Sequence, residues 1–492
     1  MNRLASRWLI VVTAFVLICS VVASHTTAAE FRTWKDSNQK TLIQARFVGY
    51  DRASLSVTLE KPDGKRETIV TTKLSLDDQR HVERIVKKIL AGFAADARSA
   101  TSQDWPWWRG PNSNGIAAPG QSVPTTWNET ENVVWKTPVP GRGHSSPVVV
   151  GNKIFLTTAD KKAQTQSVLC YARDTGKPLW DKVISRGGFN KKVHSKNTHA
   201  SPTLACSGKQ LFVVFNSHDS VQLSALDLNG KVLWQTQPEP FEPMMFEFGY
   251  APSVLLYKDT VIVTGEYEEG YIIAYDQKSG KPRWEISRPM ISFSTPVIAH
   301  VAGKDQLLIS GGSRVSSYDP NNGNLLWETK ATTSATCGTM VWDDELVFAS
   351  GGYPKKQTAA IKADGSGEVV WTNQIKCYEQ SMLAYQGHIY AMSDDGIAFC
   401  WNAKTGEQKW KVRVGGPVSS SPVLVGDTIY QANEKGVLFV FKANPERYEE
   451  VAQNQLGDEM FATATICGNQ IFLRTADSTN GPRQETLYCI AN

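Results

Sequence analysis

Two histidines in one loop have the spacing in this chain that comes nearest to a metal site. His194 and His199 stand five residues apart in the segment 193–199, and two imidazoles from one loop could reach the same ion. Cysteines or carboxylates at matching spacing are absent nearby. The alternative is that both rings line a central face and bind water or backbone groups. The sequence favours that alternative and predicts no metal site.

Further polar side chains lie in loops just before strand-like segments, where they could line one funnel. The loop Phe241–Tyr250, rich in aromatic residues, methionine and acids, interrupts the regular pattern of the chain. Such a loop on a rigid scaffold is a usual place for recognition, and the alternative is that it packs over the funnel mouth as a plug. The candidate binding residues are Arg142, His144, His194, Lys196, His199, Phe246, Glu247, Tyr250, Arg314 and Glu379.

The chain has no recognisable catalytic motif. Asp394–Gly396 matches half of a calcium-binding loop, but the same residues suit the tight turn of a β-hairpin, which often requires Asp-Gly. The GxSxG and HExxH motifs and a phosphate-binding glycine loop are absent. We therefore expect a turn at Asp394–Gly396 and no catalytic residues.

The elements that must position these loops follow a repeat. A glycine, three residues and a tryptophan occur six times, each time after a strand-like apolar run. Subtracting the tryptophan positions gives intervals of 54, 50, 43, 44 and 39 residues. A recurrence of this length is typical of repeat architectures. The copies are Gly176–Trp180, Gly230–Trp234, Gly280–Trp284, Gly323–Trp327, Gly367–Trp371 and Gly406–Trp410.

Each repeat has the pattern of a four-stranded antiparallel unit. The eighth unit ends after Ile490 without a tryptophan strand, and the strand-like segment Asn132–Lys136 has no other partner. Pairing the two predicts an all-β fold, an eight-bladed β-propeller closed by an N-terminal strand. The units begin at Ser146, Ser201, Pro252, Thr295, Gly338, Ser381, Ser421 and Thr463.

Each tryptophan is expected to lie between neighbouring blades, where a large apolar ring buries much surface. In the seventh unit, Pro445-Glu446-Arg447-Tyr448 replaces the glycine–tryptophan pattern, which makes Tyr448 the candidate for that position. The predicted docking residues are Trp135, Trp180, Trp234, Trp284, Trp327, Trp371, Trp410 and Tyr448.

The N-terminal part of the chain differs from the repeats. Residues 1–29 begin with Arg3 and Arg7, continue with an apolar run and contain no acid, which is typical of a cleaved signal peptide. Residues 30–93 predict a small β domain that ends in a helix, opened by a capping box at Ser75–Asp78. Residues 94–104 are predicted to be a polar linker, and residues 105–492 to form the propeller.

Charge and cysteine usage exclude several function classes. Removal of residues 1–29 takes away two arginines and no acids, so the net charge falls from +4 to +2. That balance gives no electrostatic footprint for nucleic acid, and no later segment resembles a membrane span. Seven scattered cysteines remain without a CxxC pair. They predict mostly buried free thiols with at most one or two disulfides.

The N-terminal domain resembles a known protein-binding module. Phe31–Trp34, the Asp-Gly-Lys turn and Leu74–Gln79 are similar to the Sla1 homology domain 1, a small SH3-like domain. The resemblance covers about residues 30–90 and implies protein binding.

The repeats resemble quinoprotein-type propellers. Tyr275–Trp284 and Trp401–Trp410 are similar to the tryptophan-docking repeat of this superfamily, which joins pyrroloquinoline quinone (PQQ) dehydrogenases with non-catalytic BamB-like members. Trp105–Asn112 and Gly141–Pro147 resemble exported bacterial PQQ-binding-like repeat proteins. For activity, the resemblance implies an adjacent cysteine pair and a calcium site beside a catalytic aspartate. This chain has no adjacent cysteines and no haem-attachment motif.

Together these patterns predict a non-catalytic, exported β-propeller scaffold that binds proteins of the periplasm or cell envelope. We expect a monomer without a resident cofactor. Two alternatives stay open. One is a PQQ- or calcium-dependent, oxidoreductase-like cofactor binder that uses the funnel. The other is a carbohydrate-binding propeller that uses Trp107, Trp108 and the aromatic residues of 246–250.

Overall fold

A computed structural model of the protein describes residues 21–22, 31–51, 56–82, 85, 103–479 and 481–492. The chain divides into two compact units, Met1–Ser99 and Ala100–Asn492. Strands dominate both units, as the sequence predicts for an all-β protein. The predicted signal peptide, apart from residues 21 and 22, lies outside the described residues, and so does the predicted linker as far as residue 102.

The first unit contains a five-stranded antiparallel sheet. A tight turn at 62–65 joins two of its strands, and Gly64 there adopts a φ of 81°, as the Asp-Gly signal predicts. The buried core contains Trp34, Phe47 and Leu59. The strands are Val21–Val22, Arg32–Lys35, Thr41–Asp51, Ser56–Glu60 and Arg66–Val70.

A helix follows this sheet. A 3-10 turn at Thr71–Lys73 leads to the helical residues 76–82 and 85. The Ser75 hydroxyl oxygen accepts the backbone N–H of Asp78 at 3.2 Å, and the hydroxyl donates to the Asp78 carboxylate at 2.9 Å. The predicted N-cap is therefore confirmed. The predicted continuation of the helix beyond residue 85 lies outside the described residues.

The described part of the second unit contains eight antiparallel sheets with four main strands each, which we number in chain order. Sheet 2 has a short extra strand, Glu239–Pro240, beside its third strand. Sheets 1 to 4 consist of Val148–Val150, Lys153–Asp160, Thr165–Ala172 and Pro178–Arg186; Ala205–Cys206, Gln210–Ser217, Ser220–Asp227 and Val232–Gln235; Leu255–Tyr257, Thr260–Gly265, Tyr271–Asp276 and Pro282–Ser287; Val297–Val301, Lys304–Gly311, Arg314–Tyr318 and Leu325–Lys330.

Sheet 8 takes its outer strand from the start of the unit. Val133–Val139 pairs antiparallel with Gln484–Ile490, so that Trp135 stands opposite Cys489. Sheets 5 to 8 consist of Val341–Trp342, Leu346–Gly351, Gln357–Lys362 and Val369–Asn373; Leu383–Tyr385, His388–Met392, Ile397–Asn402 and Gln408–Arg413; Val423–Val425, Thr428–Ala432, Val437–Lys442 and Glu450–Gln455; Thr465–Cys467, Gln470–Asp477, Gln484–Ile490 and Val133–Val139.

Burial differs between the inner and outer strands of each sheet. In sheet 3, Thr260–Gly265 is buried throughout, and Tyr271–Asp276 is buried except at its last residue. The fourth strand, Pro282–Ser287, alternates between exposed and half-buried residues. Continuous apolar runs are expected where a strand is covered on both faces. The second and third strands are therefore the ones covered by neighbouring sheets.

The glycine of each repeat is required by geometry at the turn before the fourth strand. Gly280 has a φ of 67°, in the left-handed region that favours glycine. The register shifts by one residue between Ala274 and Tyr275, which is a β-bulge. A Cβ atom on Gly280 would lie 2.6 Å from the Trp234 ring of the preceding sheet. The glycine therefore serves both the turn and the close approach of the tryptophan.

Six tryptophans bridge neighbouring sheets by a hydrogen bond. In each case the indole N–H of one sheet donates to a backbone carbonyl of the next. A seventh repeat tryptophan, Trp327, forms no such bridge and donates to the Gln306 side chain of its own sheet at 2.7 Å. The six bridges join Trp135 to Arg173, Trp180 to Leu228, Trp234 to Gln277, Trp284 to Pro320, Trp371 to Ala403 and Trp410 to Asn444.

We call the interface between two neighbouring sheets a seam. The seam between sheets 7 and 8 is filled differently, and the prediction that Tyr448 is its docking residue is wrong. The register pairs Ala452 with Val440, as it pairs Trp410 with Cys400 in sheet 6. Ala452 therefore occupies the position of the tryptophan. Tyr448 lies four residues earlier and packs edge-on against Trp410 at 5.7 Å. The replaced turn sequence shifted the apparent alignment of the motif, which only the strand register reveals.

Trp127, from the segment before the first repeat, fills the space beside Ala452. Its ring stacks on Tyr430 at 6.5 Å, just as Trp410 packs on Tyr390 in sheet 6. Trp127 is 4% exposed and belongs to a core cluster shared by sheets 7, 8 and 1. Its backbone N–H donates to Asn454 at 2.8 Å. A residue outside the repeats thus supplies the missing indole.

Candidate functional site

A hydroxyl residue stands two residues before the first strand of every sheet in the described part of the second unit. Seven backbone N–H groups of this set donate to the hydroxyl of the next member, and one of these bonds runs from Thr463 back to Ser146. The remaining hydroxyl, that of Thr339, accepts from the Trp108 indole at 2.8 Å. The set is Ser146, Thr203, Ser253, Thr295, Thr339, Ser381, Ser421 and Thr463. The first strands therefore converge on one small area.

Residues 105–117, which we call the N-terminal plug, cross this area. Trp105 exchanges backbone hydrogen bonds with Val149 of sheet 1, and the Pro106 carbonyl accepts the N–H of Cys206 in sheet 2. On the other side, Ala117 donates its N–H to Leu424 of sheet 7. The buried Arg109 guanidinium donates to the Met382 carbonyl at 2.8 Å, just before sheet 6. The plug is thus tied to first strands on several sides.

A cavity of about 190 Å³ lies against the plug. Trp108 of the plug contributes one wall, and the indole is held there by Thr339. The remaining lining combines aromatic rings with polar groups, and it draws on the loops before all eight first strands. The lining residues include His144, His194, Lys196, Phe248, Phe293, Tyr378, Glu379, Ser419 and Phe461. This composition is typical of small-ligand sites, which combine apolar walls with a few placed polar groups.

A three-residue ionic group stands at the cavity wall. The Lys196 ammonium lies 2.7 Å from a Glu434 carboxylate oxygen and 3.3 Å from one of Glu379. The Ser419 hydroxyl lies between the same two carboxylates, at 2.6 Å from Glu434 and in closer contact with Glu379. These side chains come from loops that are widely separated in sequence. Only the convergence of the first strands brings them together.

Burial shifts the acid–base behaviour of this group. Burial opposes the charge on Lys196, but its hydrogen bond to the Glu434 carboxylate and the charge of Glu379 outweigh burial and raise the pKa of Lys196. Burial also raises the pKa of Glu379, while Ser419 and Lys196 act in the opposite direction. Lys196 therefore stays charged, and Glu379 is the carboxylate that holds a proton more readily than usual.

His144 presents a neutral ring to the cavity. Its pKa lies well below the usual range because burial removes water and because Arg142, Arg474 and Arg483 are positive neighbours. The ring stacks on Phe461 at 4.4 Å. Its Nε2 atom is buried and has no hydrogen-bond partner. A neutral imidazole with a free nitrogen can accept or donate one hydrogen bond, depending on its tautomer.

The structure brings four of the ten predicted binding residues to the cavity, namely His144, His194, Lys196 and Glu379. His194 packs edge-on against Phe248 at 5.0 Å, and its Nδ1 atom accepts the backbone N–H of Lys196. The loop Phe241–Tyr250 is thus divided in its role. Phe248 lines the cavity, in the manner of a plug, whereas Met244 and Met245 are exposed.

The other predicted binding residues lie elsewhere. His199 and Tyr250 line a separate small cavity, and the buried Tyr250 hydroxyl donates to the Thr264 carbonyl. Arg314 begins a third strand and pairs with Glu328 at 2.7 Å. Three more have no part in the cavity lining: the Arg142 side chain is exposed, Glu247 pairs with Lys192 at the surface, and Phe246 contacts Tyr353.

Glu434, which pairs with Lys196, has no signal in single positions of the sequence, and Trp108 is predicted only for the carbohydrate-binding alternative. Trp108 lies in the tryptophan-rich opening segment, and Glu434 in a turn that follows a second strand. Their proximity to the cavity depends on chain segments far apart: Trp108 and Thr339 are 231 residues apart. The one usable signal is the hydroxyl that recurs two residues before each first strand.

The described residues contain neither a metal-ligand cluster nor a disulfide. In the described ranges, no group of three or more histidine, cysteine or acidic side chains could hold a metal ion. The seven cysteines after residue 29 are all free, and all but Cys337 are buried. No helix in the part of the chain that the structure describes has the length and apolar character needed to cross a membrane.

Comparison with known proteins identifies both parts of the chain. The family model described as outer membrane protein assembly factor BamB matches residues 120–237, 164–412 and 355–447. The model of SLA1 homology domain 1 matches residues 23–90. Outer membrane protein assembly factor BamB of Burkholderia pseudomallei (strain K96243) is 24% identical over 317 residues, which cover 63% of this chain. The match spans 66% of that protein, slightly less than two thirds of its length.

Solved structures show the same fold. BamB from Moraxella catarrhalis superposes with a TM-score of 0.51 and 17% identity, over 72% of this chain and 96% of that chain. A europium-containing methanol dehydrogenase superposes with a TM-score of 0.59 and 11% identity, over 82% of this chain and all of that chain. At these identities the likeness concerns the fold alone, a β-propeller built from PQQ-like repeats.

Proposed function

This chain belongs to the family of outer membrane protein assembly factor BamB, and on that premise we propose that it is an exported, non-catalytic β-propeller scaffold. Its partners in this proposal are proteins of the periplasm or cell envelope, which it binds as a monomer. The family match over the repeats and the relative named as an assembly factor support protein binding. The SLA1 homology domain 1 adds a second module of the protein-binding class.

In this proposal the eight sheets are the blades of one closed ring. Two contacts support closure. Trp135 in the N-terminal strand pairs with Cys489 in the last repeat, and Thr463 donates its backbone N–H to the Ser146 hydroxyl. Radial repetition of this kind leaves only short sheet edges, at the outer strand of each sheet. Partners are therefore expected to bind the loops and faces of the ring rather than an open strand.

Exposed apolar side chains near the cavity carry the proposal. Met244, Met245 and Tyr353 are 78%, 56% and 51% exposed. Phe246 joins them through an edge-on contact with Tyr353 at 5.3 Å. The backbone N–H groups of Met244 and Met245 donate to the Glu268 carboxylate, which holds the loop in place. Grouped exposed apolar residues are typical of protein-binding surfaces, and methionine adapts to varied partners. We call these four residues the apolar rim.

The cavity does not suit the quinone and calcium of the related dehydrogenases. PQQ carries carboxylates, whereas Lys196, the one lysine or arginine in the described lining, is already paired with Glu379 and Glu434. The described residues also offer no cluster of three metal-ligating side chains. Calcium sites need several oxygen ligands at once. The proposed scaffold therefore holds neither group.

Charge substitution in the apolar rim tests the proposal. The rim variant carries Met244→Glu and Met245→Glu, and the control carries Leu179→Glu, whose leucine is 49% exposed on a fourth strand. Cross-linking of the full chain in intact cells, followed by mass spectrometry, measures which envelope proteins are captured. We expect the rim variant to lose its partners, because buried charge weakens an apolar contact, and the control to keep them. Equal capture by both variants would contradict the proposal.

A further inference from the structure

The ionic group at the cavity wall is short of one cation and one hydrogen-bond donor. Glu379 and Glu434 carry two carboxylates, and Lys196 supplies one positive charge. The Ser419 hydroxyl approaches both carboxylates but has a single proton to donate. The next charged pair behind this group, Lys376 with Asp394, is balanced by itself at 2.9 Å. When both carboxylates are ionised, this ionic group therefore carries one negative charge in excess.

Glu379 is the carboxylate that remains open to a ligand. It lines the cavity, and its distance of 3.3 Å from the Lys196 ammonium is longer than the 2.7 Å from Lys196 to Glu434. The Lys196 ammonium therefore pairs more closely with Glu434 than with Glu379. A positively charged group in the cavity would complete the hydrogen bonds of Glu379 without displacing Lys196.

His144 adds a second, independent indication of the ligand. Its Nε2 atom is buried without a partner, on a ring that lines the cavity. A backbone hydrogen bond with Lys196 favours the protonated ring, although burial outweighs it; the neutral ring can carry its one proton on Nδ1. In that tautomer Nε2 is an acceptor without a donor. An unmade hydrogen bond of this kind favours a ligand that donates.

The aromatic walls fit the same chemistry. Trp108, Phe248, Phe293 and Phe461 all line the cavity. Aromatic faces attract ammonium groups within about 6 Å of the ring centre, and they also pack against alkyl chains. The cavity volume of about 190 Å³ has room for one extended side chain but not for a folded segment.

From these features we propose that the cavity binds a primary alkylammonium group, with Glu379 as the main partner and the aromatic rings around the alkyl chain. The ammonium can come from a lysine of a bound protein, which rests on the proposed scaffold function, or from a free amine. Lys196 is then a positioning residue, because it fixes the two carboxylates and takes up part of their charge.

Calorimetric titration of the full chain tests the proposal. The probes are n-butylammonium, a lysine capped at both backbone ends, and n-butanol as the neutral analogue. We expect both ammonium probes to bind the wild type and butanol not to bind. Glu379→Gln should weaken ammonium binding about tenfold or more, because it removes a charge-assisted hydrogen bond. Glu328→Gln, whose partner Arg314 lies outside the cavity lining, should leave affinity unchanged.

Lys196→Met provides a second, opposite readout. The variant removes the internal ammonium and leaves two carboxylates to the ligand, so the affinity for n-butylammonium should rise about tenfold or more. The same probe should raise the melting temperature of this variant more than that of the wild type, because a ligand that binds the folded state stabilises it. A merely structural role of Lys196 predicts no such rescue.

The results distinguish a partner protein's lysine from a free amine as the source of the cation. They also distinguish failure of the ammonium site from failure of the proposed scaffold function. Tighter binding of capped lysine assigns the site to a partner protein, and tighter binding of n-butylammonium assigns it to a free amine. Equal binding of butanol, or no ammonium binding by either the wild type or Lys196→Met, would overturn the inference. Partner capture that persists without ammonium binding removes only this inference. Ammonium binding without rim-dependent capture removes only the scaffold function.

Discussion

The regular seams and the seam between sheets 7 and 8 fill the same space with residues of different origin. Between sheets 2 and 3, Trp234 of one repeat covers Gly280 of the next and donates to the Gln277 carbonyl. Between sheets 7 and 8, Ala452 stands at the tryptophan position, and Trp127 from outside the repeats stacks on Tyr430. The slot is filled in both cases, but only the regular seams are encoded within the repeat.

The difference shows what the segment before the repeats contributes. Residues 105–127 provide the plug, the Trp108 wall of the cavity and the Trp127 ring of the last seam. One short stretch therefore supports both the ring and the candidate site. Packing defects in a regular seam are expected to affect stability alone. Defects in this segment are expected to affect stability and ligand binding together.

Loss of the Trp127 ring is the largest expected effect. Trp127→Ala removes a buried indole between sheets, which should lower the free energy of unfolding by about 3–5 kcal/mol. Trp234→Ala should cost less, because the Trp234 side chain is half-buried. Denaturant unfolding of both variants measures the difference. A smaller loss for Trp127→Ala than for Trp234→Ala would break the comparison, since it would mean that the last seam does not depend on this ring.

Gly280→Ala tests the regular seam. The substitution forces a side chain into a φ of 67° and brings its Cβ to 2.6 Å from the Trp234 ring. Backbone strain and overpacking together should cost about 2–4 kcal/mol. Gly151→Ala is the matched control, because Gly151 also has a positive φ but has open space at the Cβ position. It should cost about 1–2 kcal/mol. Equal losses would mean that tryptophan contact adds nothing to the role of the glycine.

The comparison also explains how much of the fold follows from the sequence. Gly280 and Trp284 recur with a fixed local spacing, so a repeat and its strands can be predicted from periodicity alone. The unpaired segment around Trp135 identifies its own partner by elimination. Trp127 follows no period, and its contact with Asn454 spans 327 residues. Local patterns cannot reveal such a contact, because the two residues are far apart in the sequence.

The same limit applies to the candidate site. His144 and Glu379 directly precede first strands, so convergence of those strands places them correctly. Arg314 is the first residue of a strand, but that strand is the third of its sheet, and Arg314 is not part of the cavity lining. Tyr250 points into the core because its hydroxyl finds a carbonyl there. Sequence position predicts which loop a residue occupies, and strand order then decides where that loop lies.

The pH dependence of stability should report on the buried environment of His144. His144 has a pKa well below its usual range through burial, so acid protonates the unfolded chain first and lowers stability. Between pH 7.5 and 5.5 this loss is at most about 1.4 kcal/mol, and His144→Gln should remove it. Melting temperatures at both pH values measure the effect.

His300, whose pKa is shifted in the opposite direction from that of His144, provides the control for that experiment. The hydrogen bond with Asp305 raises the pKa of His300, although burial acts against it. His300 therefore contributes stability that is present at low pH and lost as pH rises through its folded pKa. His300→Gln should make the loss of stability in acid steeper, whereas His144→Gln makes it shallower. Equal shifts in the two variants would contradict the opposite environments of the two rings.

The smallest expected effect concerns Tyr448 and decides which seam it belongs to. Its ring packs edge-on against Trp410, so a double-mutant cycle of Tyr448→Ala with Trp410→Phe should give a coupling of about 0.5–1.5 kcal/mol. The cycle with Trp127→Phe should give less than about 0.5 kcal/mol, because residues in different seams act independently. Strong coupling to Trp127 would return Tyr448 to the seam between sheets 7 and 8. Weak coupling leaves that seam dependent on the segment before the repeats.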